Sequence, residues 1–561
     1  MSDIYADLRI VRAGSIPIAA ELCRLGKVRE TVNHLVHWKE ANAKVSPGLL
    51  IESLVICILC GRKPLWKVEQ FWAGQDLENV FAGVEVSVDQ LNDDAYGHAL
   101  DKLAEIKMEE LVSIIGLTLL QAHNLSIGFV HFDTTNKQVQ GEYVGAAPEE
   151  FDIRYGHCKK NNRHDLKQFK IGAGVQENGQ VIMGELLPGN KLDVHWNPDS
   201  ALKMQQLFSE QGFKDVIFVS DCALVSTEGL QKIGQDVQFI SRLPETFALA
   251  NELKQRAWEA DCWEEIGPLA DATSSKAAQY KTFAIRREFC GREYGFVVVQ
   301  SSALEAKKEK TILKQVAKLQ TEFAKQAKTL SKQEFACEAD AVAALQAFTN
   351  KVQKQNFTIL GKVDAITTLT YAHKGRPKNG EQGTETTTYH VDCTIGDMDS
   401  AVLAQQMRKE ATFVLISSIR DYQKYDGRAI LTEYKRQISI ENKFRFLKNP
   451  VYLGPVYLKS KSRIQALGYV FILVLMLASY LEYRVRTALK ETNQGIHQPG
   501  NKKTSTPSVT TILEILDKIE VVIFQGKRLF PKNIDKQALE MIKWAGFDTN
   551  IYLKPQTVVI D

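Results

Sequence analysis

The stretch ILTEYKRQISIENKFRFLK, from Ile430 to Lys448 and stopped by Asn449-Pro450, constrains this chain more than any other. A helix advances about 100° per residue, which places Tyr434, Gln437, Glu441 and Lys448 in one sector about 60° wide. Ile440, Phe444 and Leu447 form an apolar stripe beside it. One face is therefore expected to be buried, with the lone carboxylate of Glu441 at its edge, flanked by Lys443, Arg445 and Lys448. An acid among bases on a half-buried face suits a metal ligand working beside a polyanion. The plain alternative is a salt-bridged surface acid. Two further acids converging on the same place would decide between them.

At 561 residues the chain has room for about three or four domains, each with its own core. A net charge of +3 does not by itself point to a polyanionic partner. Local charge is more informative: from Glu433 to Arg463 the bases Lys435, Arg436, Lys443, Arg445, Lys448, Lys459, Lys461 and Arg463 face only Glu433 and Glu441. The nine cysteines are scattered without paired spacing, and Cys57 and Cys60 lie within the apolar run LVICILC. This usage fits a reducing, cytoplasmic compartment. The N-terminus MSDIYADLRI carries acids and lacks the long apolar core of a signal peptide. Residues Ile464–Leu481 are uncharged and just long enough to span a bilayer. Gln465, Gly468 and Ser479, and the adjoining basic segment, favour a buried core helix and no membrane partner.

Residues 1–125 read as a helical domain. Ser46-Pro47 starts one helix, Gly61 closes it, Pro64 opens another, and Asn92-Asp93-Asp94 caps a third. The basic turn at Arg62, Lys63 and Lys67 admits a DNA-docking helix-turn-helix, with an ordinary helical bundle as the alternative. Residues 126–242 carry strand signals: IGFVHFD ending at Asp133, a hairpin FKIGAGVQ–Asn178-Gly179–VIMGELL, a helix near Asp199–Gln211, VIFVS running into Asp221, and VQFIS. If the first and fourth strands are parallel neighbours, Asp133 and Asp221 meet at one sheet edge, where open α/β sheets collect ligands. That is a ribonuclease-H-like arrangement. It needs a third acid from a helix laid across the edge, and Glu441 supplies one.

The expected fold class is thus α/β: a ribonuclease-H-like mixed-sheet core, a large insertion at 243–410 before the last catalytic helix, and the N-terminal helical domain. Ile312, Val316, Leu319, Phe323 and Leu330 give the insertion a long amphipathic helix. Gly375-Arg376-Pro377 among lysines matches a minor-groove-inserting tripeptide, or equally a charged hairpin loop. The core resumes over 411–490, and 491–561 is a linker and a small helical segment.

The helix motif Y-x2-Q-x3-E-x6-K resembles the Y-x2-R-x3-E-x6-K signature of bacterial insertion-sequence transposases of the DDE type. HFDTT and VSDCALVS are similar to the two regions that carry that family's aspartates. HDLKQFKIGAGVQENGQVIMGELLPGNKLD resembles its connecting hairpin, and ENKFRFLKNPVYLGPVYLKSKSRIQAL its C-terminal block. SPGLLIESLVICILCGRKPLWKVEQF resembles the helical domain at the front of one branch. Together the resemblance covers most of the chain, from about residue 30 to 490. One position departs: Gln437 stands where the signature has Arg and brings no charge, leaving Lys435, Arg436 and Arg445 as nearby cations.

The resemblance implies Asp133, Asp221 and Glu441 as catalytic ligands of two Mg²⁺ ions, with Mn²⁺ able to substitute. Asp133 would bridge the ions. It implies Tyr434, Gln437, Lys448, Arg445, Lys443, Arg436 and Arg376 as DNA contacts. The partners would be the double-stranded terminal inverted repeats of a mobile element and target DNA, bound by a homodimer. A flipped base would stack on Trp66, Trp196 or an aromatic of the insertion. A ribonuclease-H-like nuclease that never joins ends, and a catalytically silent DNA-binding descendant, are the alternatives.

Overall fold

The computed structural model describes residues 8–39, 44–61, 63–122, 126–139, 143, 151–156, 165–269, 277–371, 382–448, 458, 460–498 and 502–554. A short strand β1 (Arg9–Val11) leads into seven helices: α1 (Ile16–Leu25), α2 (Val28–Leu35), α3 (Pro47–Cys60), α4 (Val68–Trp72), α5 (Leu77–Val80), α6 (Asp93–Leu103) and α7 (Met108–Gln121). The expected starts are in place. Ser46 Oγ accepts from Leu49 N–H ahead of Pro47, and Asn92 Oδ1 accepts from Ala95 N–H. Cys57 and Cys60 both sit on α3.

The core comes next: β2 (Phe129–Val139), β3 (Lys167–Gln176), β4 (Val181–Pro188), α8 (Asp193–Glu210), β5 (Ile217–Ser220), α9 (Thr227–Ile233), β6 (Gln238–Arg242), α10 (Ala248–Ala260), β7 (Glu264–Gly267), β8 (Tyr280–Phe289) and β9 (Arg292–Ser301). The chain then leaves the sheet through α11 (Ser302–Leu330), α12 (Glu338–Gln353), β10 (Phe357–Thr370), β11 (Thr384–Met398) and α13 (Ser400–Glu410). It returns as β12 (Thr412–Ser417), α14 (Gly427–Arg436), α15 (Ile438–Lys448) and α16 (Lys461–Glu491). The end of the chain forms β13 (Ile496–Gln498), β14 (Lys502–Thr504), α17 (Val509–Leu516), β15 (Val521–Phe524), β16 (Lys527–Leu529) and α18 (Lys536–Trp544).

Among the described residues nine strands make one mixed sheet in the order β4-β3-β2-β5-β6-β12-β9-β8-β7. β4, β3 and β2 are antiparallel, and β2, β5 and β6 are parallel. This is the ribonuclease-H-like order expected from the sequence, extended by four further strands. The extension corrects the insertion boundary. Residues 280–301 are a hairpin, β8–β9, that pairs with β12 in the main sheet, so the excursion begins at α11 and not at 243. Within it, Phe323, Val352 and Phe357 build a small separate core with Val316 and Leu319.

Helix α16 is long and apolar enough to cross a membrane by length and composition. Here it is a core helix, with Ile464 and all of Ala466–Leu481 buried. It packs on β4 and on α3, α6, α7, α15, α17 and α18. Burying one large aliphatic side chain is worth about 1.5–3 kcal/mol, so the helix is held by many such contributions. Its polar atoms are matched as well. Ser479 Oγ accepts from Val181 N–H at 2.9 Å, and Tyr469 O–H donates to Glu109 at 2.5 Å.

The end of the chain belongs to the N-terminal domain. β1, β15 and β16 form one sheet. Arg528 pairs with Asp76 and Glu78, and Tyr552 O–H donates to Gly14 O at 2.8 Å. On the opposite flank, α7 lies so close to β4 that a Cβ on Gly116 would stand 2.2 Å from the Ile182 carbonyl oxygen. Gly116→Ala must therefore push helix from strand. We expect a loss of about 1–3 kcal/mol by overpacking, read as a lower urea midpoint; an unchanged midpoint would refute this contact.

Candidate active site

Asp133 and Asp221 are set by the parallel pairing of β2 and β5. The last paired residues are His131 and Val219, and each aspartate lies two residues further on. Side chains alternate along a strand, so both aspartates share the face of His131 and Val219. β5 and β6 continue the row: Ser220 pairs with Ser241, which brings Arg242 alongside Asp221. Asp133 thus lies on β2 and Arg242 at the end of β6, while Asp221 stands between their strands just past the end of β5, capping the turn Cys222–Leu224. Asp133 is not at the end of its strand, as expected, because β2 runs on to Val139 paired with β3. Only its β5 flank is open.

The same face is covered by the signature segment, which is two helices and not one. α14 ends at Arg436, α15 begins at Ile438, and Gln437 caps the first. Ile430 and Leu431 of α14 join the cluster of Ile217, Val219 and Ile240. Ile440 and Phe444 of α15 are buried in the cluster that contains Ile171, Ala173 and Val175 of β3. Each half is thereby committed to its own part of the sheet. Gln437 falls at the step between them.

Tyr434 and Glu441 flank that step. Tyr434 is half-buried with its ring 6.2 Å from Phe413. Burial pushes its phenol up to about 12; Arg242 opposes the rise, and Asp221, Cys222 and Glu441 add to it. One hydroxyl therefore feels both Asp221 and Glu441. Glu441 itself is exposed. Asp221 Oδ1 accepts from Ala223 N–H at 3.0 Å and from Asn197 Nδ2 at 3.3 Å. Asp133 Oδ1 accepts from Thr134 N–H at 2.7 Å.

The topology brings the three acids to one face, yet the carboxylates are not gathered into a ligand set. Among the described residues no group of three or more His, Cys, Asp or Glu side chains is placed to hold a metal ion. The hard oxygen donors suit Mg²⁺ in kind, and the elements carrying them converge. What is in place is a pair of neighbouring aspartates with Glu441 on the overlying helix.

The expected DNA contacts divide. Lys443 is a correction: it is buried and ion-paired with Glu482, because its position on α15 faces α16 and not solvent. Arg436 pairs with Glu433 and keeps about half of its side chain open to solvent. Lys435, the nearby cation in place of the missing Arg, lies over the rings of Tyr280 and Phe413. Gln437 is half-buried. Arg445 is exposed and, with Asn442 and Arg486, lines an open cavity of about 600 Å³ on the flank of α15. The Lys448 side chain and Arg376 lie outside the described residues. Trp196 is buried, its indole N–H donating to Glu185, which removes it as a stacking platform; Trp66 is exposed.

Arg242 and Asn197 were missed in the sequence. The first was legible: VQFIS runs into Arg242 as VIFVS runs into Asp221, and parallel neighbours bring the residues just beyond them into line. Beneath the site, buried His131 has Nε2 3.6 Å from Glu433 Oε2. Neither ring nitrogen has a hydrogen-bond partner among the described residues.

The domain-of-unknown-function family DUF4277 matches residues 9–117, the N-terminal helical domain. No curated protein sequence matches the chain. Among solved structures, the piggyBac transposase synaptic complex with hairpin DNA is similar at a TM-score of 0.36 and 8% identity, covering 89% of this chain and 79% of that one. The Mos1 transposase paired-end complex with left transposon end is similar at 0.14 and 14% identity, covering 31% and 57%. At these scores neither likeness fixes an activity for the present chain.

Glu433 pairs with Arg436 one turn along α14 and faces His131 of β2. Glu433→Ala is expected to lower stability by about 0.5–1.5 kcal/mol, since the hydrogen bond from Arg436 to the buried carboxylate is lost. A urea midpoint equal to that of wild type would show that the tie contributes nothing.

Proposed function

We propose that this chain is a DDE-type transposase that binds the terminal inverted repeats of a mobile element, cleaves its DNA ends and joins them to target DNA. The observation that carries this reading is the shared row of Asp133 and Asp221 on parallel neighbours, with the Glu441 helix laid over the same face. The resemblance of the Tyr434–Lys448 motif to the transposase signature adds to it.

In this reading Asp133, Asp221 and Glu441 would hold two Mg²⁺ ions, with Mn²⁺ as a substitute. Bound there, the ions supply activation of a water or 3′-hydroxyl and neutralise charge on the departing oxygen. The protein supplies the rest. Arg242 places a fixed cation at the end of the acid row, where a phosphodiester has to lie. The Tyr434 phenol, protonated at neutral pH, lies near enough to feel the charge of both Asp221 and Glu441. Arg445 and Arg436 face outward beside them and attract the DNA backbone. A homodimer on paired ends completes the proposal.

The test uses the inverted repeats that flank the reading frame in its genome. Asp133→Asn, Asp221→Asn and Glu441→Gln should each abolish Mg²⁺-dependent nicking of these ends while end binding stays within about twofold of wild type, because the ligands perform chemistry and the cations give affinity. Wild-type nicking by any one of them removes that residue from the site. Nicking by the wild-type protein without joining would reduce it to a nuclease.

Arg445→Ala should weaken end binding and lower the slope of log affinity against log salt by about one contact's share. A slope equal to that of wild type would count against a phosphate contact at Arg445.

A further inference from the structure

The apolar run of α16 ends at Leu481, and the next residue, Glu482, is buried with its carboxylate turned into the junction of three chain segments. Its Oε1 accepts from Lys443 Nζ of α15 at 2.5 Å and lies 2.9 Å from Arg486 Nη1, one turn along its own helix. Its Oε2 accepts from Val509 N–H, the first residue of α17, at 3.0 Å. Both oxygens are occupied, and each outlying partner belongs to a different element.

Lys443 is 7% exposed, so its ammonium has left water and depends on that carboxylate. It comes two residues after Glu441, about 200° around the helix. Pinning Lys443 inward therefore turns Glu441 outward. The same carboxylate caps α17, whose domain joins the N-terminal helices through β1 and β15. An acid placed only for stability would not need to join the signature helix to the C-terminal segment.

We propose that Glu482 is a positioning residue. It sets the rotation of α15, and hence the place of Glu441 over the aspartate row, and locks that rotation to the C-terminal segment through α17. This rests on the reading of Glu441 as a metal-binding acid. With the carboxylate neutralised, Lys443 must seek water, and α15 rotates or frays at the step after Gln437.

The experiment compares the wild-type full-length chain with Glu482→Gln and Lys443→Met. In the second variant Glu482 keeps Arg486 and the Val509 N–H, so it guards against a folding failure in the first. Hydrogen–deuterium exchange should be faster over residues 438–446 in both variants, with residues 464–481 still protected. Single-turnover cleavage of the terminal repeats should need about tenfold more Mg²⁺ for half-maximal rate, the usual size of a positioning effect on metal affinity. End binding should stay within about twofold. Unchanged exchange at 438–446 overturns the clamp. Faster exchange with the wild-type Mg²⁺ requirement overturns the positioning role. A wild-type chain that never cleaves its ends overturns the transposase reading and this role with it, while the exchange data still report whether the carboxylate holds the helix.

Discussion

An uncharged helical run as long as Ile464–Leu481 must be enclosed, and most of this architecture depends on how it is. α16 lies under the β4 side of the sheet and touches α3, α6 and α7 of the N-terminal domain on its other flanks. One element therefore supplies core to both the sheet and the helical domain. Val181 and Leu186 of β4 and Leu54, Ile58 and Leu100 of the helices are parts of the same buried cluster. Its ends are polar and joined to neighbours: Arg463 pairs with Asp101 of α6, and Glu482 with Lys443 of α15. The signature helix is thus fastened to a rigid core.

That rigidity matters because the candidate chemistry depends on placement. The parallel step from β2 to β5 aligns Asp133 with Asp221 and leaves both facing the same way. The covering helices are split at Gln437, so α14 lies on β5, β6, β8 and β9 while α15 lies on β2 and β3. A continuous straight helix could not lie along both. Tyr434 and Arg242 lie close to Asp221, and Glu441 lies on the overlying helix just past that step. Catalysis by preorganised charge requires such fixed surroundings.

The strand order around Asp133 and Asp221 was legible because IGFVHFD, VIFVS and VQFIS are short runs apolar on both faces, as buried parallel strands must be. The break at Gln437 was not: no Gly or Pro marks it, and it is produced by two packing surfaces that exist only in the folded sheet. Lys443 misled for a similar reason. Lysines are nearly always solvated, and its partner Glu482 is 39 residues away. The hairpin β8–β9 was hidden because YKTFAIRREF groups Phe283-Ala284-Ile285 and Arg286-Arg287-Glu288 and so lacks the clean alternation that marks a strand. Its turn at Cys290-Gly291 has both φ angles positive, a geometry that favours Gly, and only one of the two positions carries it.

The central claim is spatial: an acid row on β2 and β5, met by Glu441, is where divalent cations bind. Anomalous diffraction from crystals of the full chain with its DNA end and Mn²⁺ tests it most directly. The account predicts anomalous peaks between the carboxylates of Asp133 and Asp221, with Glu441 drawn in as a ligand. Peaks elsewhere, or a DNA-bound complex in which Glu441 stays remote from a metal seated on the two aspartates, would contradict it.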